Sequence, residues 1–252
     1  MASRSAKAPV STLHDLTLFD AVLASAARTP TKAAIAIDGI EIGYRQLIAM
    51  VDQQAPTPPG IDALIQCLRA SAGSSSDENA VCLTLPSCVI TQRMVMLRVL
   101  NAAVVHRAFS RDTLSASALP FDTATGIVAA MLPLVLGGTL HLVSTGDLPT
   151  IERLIASGSV NQAWLGPAEL ARLARDPPQH QALRAPAPAF RLLICVGLPA
   201  TKVRDRLTAW VGAERLTAES GADRTGPQRR FPGLDENGEP YDGATLVEAL
   251  SR

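Results

Sequence analysis

Thr113–Val143 reads TLSASALPFDTATGIVAAMLPLVLGGTLHLV, and the fold turns on how this stretch is partitioned. From Thr123 to Gly146 it holds no charged residue and is rich in Ala, Val, Leu and Ile, so length alone would allow a membrane span. Pro133, the Gly137-Gly138 pair and His141 interrupt the run. The glycine pair has the character of a helix stop, and Thr139–Val143 has that of a short strand. No membrane span is expected. The spacing predicts strand 113–117, a buried helix 123–136 and strand 139–143, a unit apolar enough to lie inside the molecule.

Working outward toward the C-terminus, helix-like and strand-like runs alternate. They are helix 150–157, strand 162–165, helix 168–175, strand 192–196, helix 201–211 and strand 214–217. Strands too apolar to face water, separated by helices, argue for an α/β fold with a largely parallel sheet flanked by helices. Toward the N-terminus, 16–28 reads as a helix capped by Asp15 or Thr17. A hairpin follows, 33–37 and 40–44, turning on Asp38-Gly39, a pair that tolerates the positive φ values of a two-residue turn. Helix 45–53 comes next. Residues 54–60 hold three prolines and a glycine and read as a break, 61–70 as a helix, 71–79 as a polar linker, 80–85 as a strand and 90–101 as a helix. Residues 227–252, rich in Gly, Pro and charge, read as an irregular tail. One domain over 1–252 is expected.

Composition limits the function. Among 252 residues, 23 are Lys or Arg and 23 are Asp or Glu, so no net charge draws the chain to nucleic acid. Hydrophobic residues make up 47% and aromatics only 4%, so Ala, Leu and Val must fill the core. Cys67, Cys82, Cys88 and Cys195 form no C-x-x-C pair, and His14, His106, His141 and His180 show no metal-ligand spacing. Cys82 and Cys195 lie in apolar runs, where a free thiol behaves as a small hydrophobe. No apolar stretch follows Arg4 and Lys7, so no secretory signal is read and a reducing, cytoplasmic setting is expected. The chain has no G-x-S-x-G, G-x-x-x-x-G-K-[ST] or strand-linked G-x-G-x-x-G pattern. Trp164 and Trp210 read as packing residues with the indole N–H at an edge, and His141 as a satisfied core histidine.

The order of segments, with Ala26-Ala27-Arg28-Thr29-Pro30, Gly43-Tyr44-Arg45-Gln46-Leu47, Phe121-Asp122, Leu136-Gly137-Gly138-Thr139-Leu140, Gly166-Pro167 and Val196-Gly197, resembles the adenylate-forming superfamily of AMP-dependent synthetases and ligases. It is most similar to the amino-acid adenylation domains of nonribosomal peptide synthesis. The resemblance implies a truncated version of the large N-terminal domain of these enzymes, without their small C-terminal domain and its catalytic lysine.

The positions that carry the chemistry depart from the family. Where it has a Gly-rich loop ending in Pro-Lys-Gly that holds the ATP phosphates, this chain has Leu85-Pro86-Ser87-Cys88. Glycines let several backbone N–H groups converge on one anion, and a lysine adds charge. Pro86 and Ser87 offer neither. The Gly73-Ser74-Ser75-Ser76 run precedes the strand, at the wrong end for a crevice at strand C-termini. Where the family has an aromatic-Gly-x-Thr-Glu motif, this chain has Ser220-Gly221-Ala222-Asp223-Arg224. The adenine-stacking aromatic becomes Ser220, and the Mg²⁺-holding carboxylate becomes Arg224, a cation. A shifted register would offer Glu219 or Asp223 instead.

The resemblance makes Phe121, Asp122 and Gly197 substrate-pocket candidates. Asp122 falls where amino-acid-activating members pair a carboxylate with the substrate ammonium, but it also directly precedes a helix and can serve as its cap. The expectation is therefore a protein that has lost ATP-dependent adenylation, with no catalytic residue, metal or cofactor. It would act as a binding or assembly partner in an acid- or amino-acid-activating pathway, with a carrier protein, a pathway enzyme or a small carboxylic or amino acid as ligand. The alternative is an active acyl- or aminoacyl-adenylating ligase using ATP and Mg²⁺ through an atypical nucleotide site, or completed by another chain. Apolar surface left by truncation predicts self-association.

Overall fold

A computed structural model describes residues 17–73, 80–84, 89–106, 109–121, 123–175, 183–197 and 199–219. Its centre is a seven-stranded sheet ordered β2-β1-β6-β5-β7-β8-β9. The strands are β1 (Ala33–Ile37), β2 (Ile40–Gly43), β5 (Leu114–Ser117), β6 (Thr139–Leu142), β7 (Gln162–Leu165), β8 (Leu192–Val196) and β9 (Leu216–Glu219). β2 pairs antiparallel with β1, and every other pairing in the sheet is parallel. The hairpin turns as expected, on Asp38 at φ 48° and Gly39 at φ 80°.

Helices cover both faces. On one lie α1 (Leu18–Arg28), α2 (Tyr44–Val51), α3 (Asp62–Gly73), α4 (Gln92–His106) and α5 (Ala124–Leu136). On the other lie α6 (Leu148–Ser157), α7 (Pro167–Arg175) and α8 (Thr201–Val211). The division follows from the direction of travel. The chain leaves β5 through α5 to β6 on one side, then crosses back through α6 to β7 on the other, and right-handed crossovers of opposite direction place their helices on opposite faces. β5 is thus the point where the strand order reverses.

The uncharged run is resolved as a buried helix. Every residue of α5 from Gly126 to Val135 is buried, between the sheet and helices α1 and α4. Gly137, at φ 84°, ends it in the left-handed conformation that glycine adopts without a Cβ penalty. No helix among the described residues is long and apolar enough to cross a membrane.

Several expected elements change. The strand expected at 80–85 is shorter, β3 (Val81–Thr84), and does not join the main sheet. It pairs antiparallel with β4 (Val89–Thr91) in a separate two-stranded ribbon. The helix expected from 90 therefore starts at Gln92 and runs on to His106. An apolar run reports burial, and burial is available under α3 as well as in the sheet.

The polar linker expected at 71–79 gives up its first three residues to α3. Ser71 is buried, accepting from the Phe19 N–H and donating to Gln92 Oε1. The strand expected at 214–217 is preceded by a 3-10 turn, Ala213–Arg215, and begins at Leu216. The break at 54–60 carries no helix or strand. The tail at 227–252 lies outside the described residues.

Candidate functional site

In an open α/β sheet the place for a ligand is the crevice beyond the carboxyl ends of the strands where the order reverses. Here that is the end of β5, flanked by the ends of β6 and β7. Parallel register sets Ser117 beside Leu142 on one side and Trp164 on the other, and Leu165 beside Cys195 in β8. Phe121, Gly146, Gly166 and Gly197 consequently follow four neighbouring strand ends. Phe121 is half-buried against the apolar core. Gly197 has φ 90° and open space where a Cβ would stand. These two candidates sit on one rim.

The rim is tied together by its own polar groups. Glu169, in the first turn of α7, is 0% exposed. One carboxylate oxygen accepts from the Gly166 N–H at 2.8 Å, an N3 side chain reaching back over its helix start, and the other accepts from the Gly146 N–H. Arg172 donates to the Gly146 carbonyl at 3.1 Å, and the Thr145 hydroxyl to the Ala118 carbonyl at 2.9 Å. The loops after β6 and β7 are thus joined across the end of β5. Composition and motif reading missed Glu169. Its signal is a glutamate three residues after a glycine at a helix start.

The N-cap of α5 is Thr123. Its hydroxyl accepts from the Gly126 N–H at 3.0 Å and donates to the Pro120 carbonyl at 2.9 Å. The capping task open to Asp122 is therefore filled by its neighbour, while Asp122 itself lies outside the described residues. So do Pro86, Ser87, Ser220, Gly221, Asp223 and Arg224.

Two tryptophan and histidine expectations are corrected. Trp164 is fully buried in β7, and Trp164 Nε1 is not at an edge; with Ser115 Oγ of β5 it finds no hydrogen-bond partner among the described residues. Trp210 does keep its N–H at the surface, donating to the Arg184 carbonyl at 2.8 Å. His141 is half-buried in β6 instead of sealed in the core. Burial holds its imidazole below the ordinary range, and Glu41, two strands away in the same register row, pulls it back up.

No group of three or more His, Cys, Asp or Glu side chains among the described residues is placed to hold a metal ion. Glu169 is committed to two backbone N–H groups and closed to solvent.

No protein-family model matches the sequence, and no curated protein matches it either. Solved structures do match in fold. CmiS6 superposes with a TM-score of 0.63 at 16% identity, over 94% of this chain and 84% of that one. The unliganded O-succinylbenzoate coenzyme A synthetase of Bacillus subtilis gives 0.55 at 11% identity, over 77% of this chain and 60% of the synthetase. An artificially fused Adenylation-PCP di-domain NRPS from Klebsiella oxytoca gives 0.56 at 13% identity, over 80% of this chain and 52% of that protein.

The fold is that of the adenylate-forming ligases. Within that ligase fold the seven-stranded sheet and its two helical layers are present, and α5 with its strands β5 and β6 forms the central unit. The match spans little more than half of the synthetase and of the di-domain protein.

Proposed function

We propose that this chain keeps the body of an adenylation domain without ATP-dependent adenylation of its own, and serves as a binding or assembly partner in an acid- or amino-acid-activating pathway. The observation that carries this reading is a ligase-type sheet whose described switch-point rim is closed by its own polar groups, Glu169 above all. The sequence adds to it: Leu85–Cys88 contains no glycine or lysine, and Arg224 puts a cation where the resemblance asks for a metal-binding carboxylate. Phosphoryl and adenylyl transfer rest on electrostatic stabilisation of charge at phosphorus, and removing one preorganised donor costs roughly 3 to 4 kcal/mol. Losing several together leaves no useful rate.

The partner chemistry follows from the same likeness. One structure of similar fold is a fusion of an adenylation domain with a PCP, and a carrier protein is the partner this reading favours. A small amino or carboxylic acid is the ligand, with Phe121, Asp122 and Gly197 as the pocket. The α5 N-cap is Thr123, and a second reading takes Asp122 as a carboxylate that pairs with a substrate ammonium. In it the chain is an acyl- or aminoacyl-adenylating ligase using ATP and Mg²⁺ through an atypical site or with a domain supplied by another chain.

Calorimetry with ATP and Mg²⁺, followed by pyrophosphate exchange over a panel of amino and carboxylic acids, separates the two. The first reading expects no nucleotide heat and no exchange above blank. Acid-dependent exchange by the chain alone overturns it.

A further inference from the structure

Cys67 and Cys82 take no part in the rim, yet the fold brings them together. Cys67 lies on α3 and Cys82 on β3, 0% and 8% exposed. The Cys82 thiol donates to the Cys67 carbonyl oxygen over 3.8 Å. α3 packs directly on β3, so this contact joins two elements instead of neighbours in one. A disulfide needs the two Cα atoms within about 7 Å and Cβ vectors that converge, and a sulfur already in contact with the other cysteine's backbone brings the pair toward that geometry. The ribbon that carries Cys82 is thin, four residues against three, with Val81 and Val89 about half exposed. Such a segment opens locally at little cost and admits a small reagent.

We propose that Cys67 and Cys82 form a dithiol that closes to a disulfide by exchange with a small-molecule disulfide. Cys82 attacks first. It sits on the thin ribbon and is 8% exposed, whereas Cys67, on α3, is 0% exposed. The Cys82 thiolate displaces one half of the oxidant as a thiolate, leaving a mixed disulfide on Cys82. Cys67 then attacks the Cys82 sulfur, its proton passing to the released thiolate, and the second half of the oxidant leaves and takes up a proton from solvent. Two protein thiols are oxidised by two electrons, and one oxidant disulfide is reduced to two thiols. The new bond staples the ribbon to α3.

The test is equilibration of the full chain with excess oxidised glutathione, alkylation of remaining thiols, and tryptic mapping. Cleavage after Arg45, Arg69 and Arg93 places Cys67 in 46–69 and Cys82 with Cys88 in 70–93. The expected product is a 46–69/70–93 cross-link in the wild type and equally in C88S, absent from C82S, with Cys195 still alkylated because burial pushes its thiol up to about 11. C67S is expected to stop at a glutathione adduct on Cys82. Closing a loop of this length predicts a Tm higher by about 5 to 10 °C in the oxidised wild type than in the reduced one. That comparison needs no variant to fold. Four alkylated cysteines after equilibration, or a cross-link that disappears in C88S, overturns the proposal.

Discussion

Glu169 lies in a place water does not reach, and both of its oxygens are spent on backbone N–H groups from different loops. A buried donor left unmet costs roughly 1 to 3 kcal/mol. Glu169→Gln keeps the shape but turns one acceptor into a donor against a donor. The expected loss is about 2 kcal/mol in urea unfolding; a change under ~0.5 kcal/mol, the range of an ordinary surface substitution, contradicts the bridge. His141 makes a prediction in pH. Its folded pKa is lowered from 6.5, chiefly by burial, so just below pH 6.5 the unfolded chain binds a proton that the folded chain does not. Stability must therefore fall as pH drops through that window. His141→Gln is expected to flatten this part of the stability curve relative to the wild type, and identical curves count against the assignment.

At the scale of the element, α5 shows how a helix end is buried away from water. Its last carbonyls cannot be met within the helix, and three other segments supply the donors. Ser25 of α1 donates to the Val135 carbonyl at 3.0 Å, and Lys32 to that of Gly137 at 2.8 Å. The Tyr44 hydroxyl, from α2, reaches the carbonyls of Gly138 at 2.8 Å and Leu134 at 3.2 Å. Tyr44→Phe removes the hydroxyl and leaves its buried acceptors short, with an expected loss of about 1 to 3 kcal/mol on chemical denaturation. The helix start is as tight. A Cβ on Gly126 would stand 1.9 Å from the Pro120 carbonyl oxygen, backbone that cannot step aside cheaply. Gly126→Ala is expected to cost about 2 to 3 kcal/mol, even though alanine is the better helix former. A Tm at or above that of the wild type shows that the turn at Pro120 is looser than described.

The whole molecule is two helical layers on one sheet, with a small ribbon set apart from it. β7 is buried along its entire length and flanked by strands on both sides, while β3 and β4 have only each other within their sheet. Opening free energy follows burial and pairing. Native-state hydrogen exchange is therefore expected to be slowest at β5 and β7 and much faster at β3 and β4, and a ribbon as protected as the sheet centre goes against this order.

The sequence by itself determined the parts whose signal is local. Periodicity, Asp38-Gly39 and Gly137-Gly138 are read within a few residues, because helices and tight turns are made by contacts along the chain. The alternation of apolar strands with helices also sufficed for a largely parallel sheet, and ordered motifs for its resemblance. Tertiary structure decided the rest. Whether the apolar run at 80–85 joined the sheet depended on which surfaces had room for it. Trp164 lies sealed in mid-sheet because strands close over it on both sides, and Glu169 gained its role only when the ends of β6 and β7 came together. Pairings between distant residues leave no periodic trace, since the register that creates them exists only once the sheet has assembled.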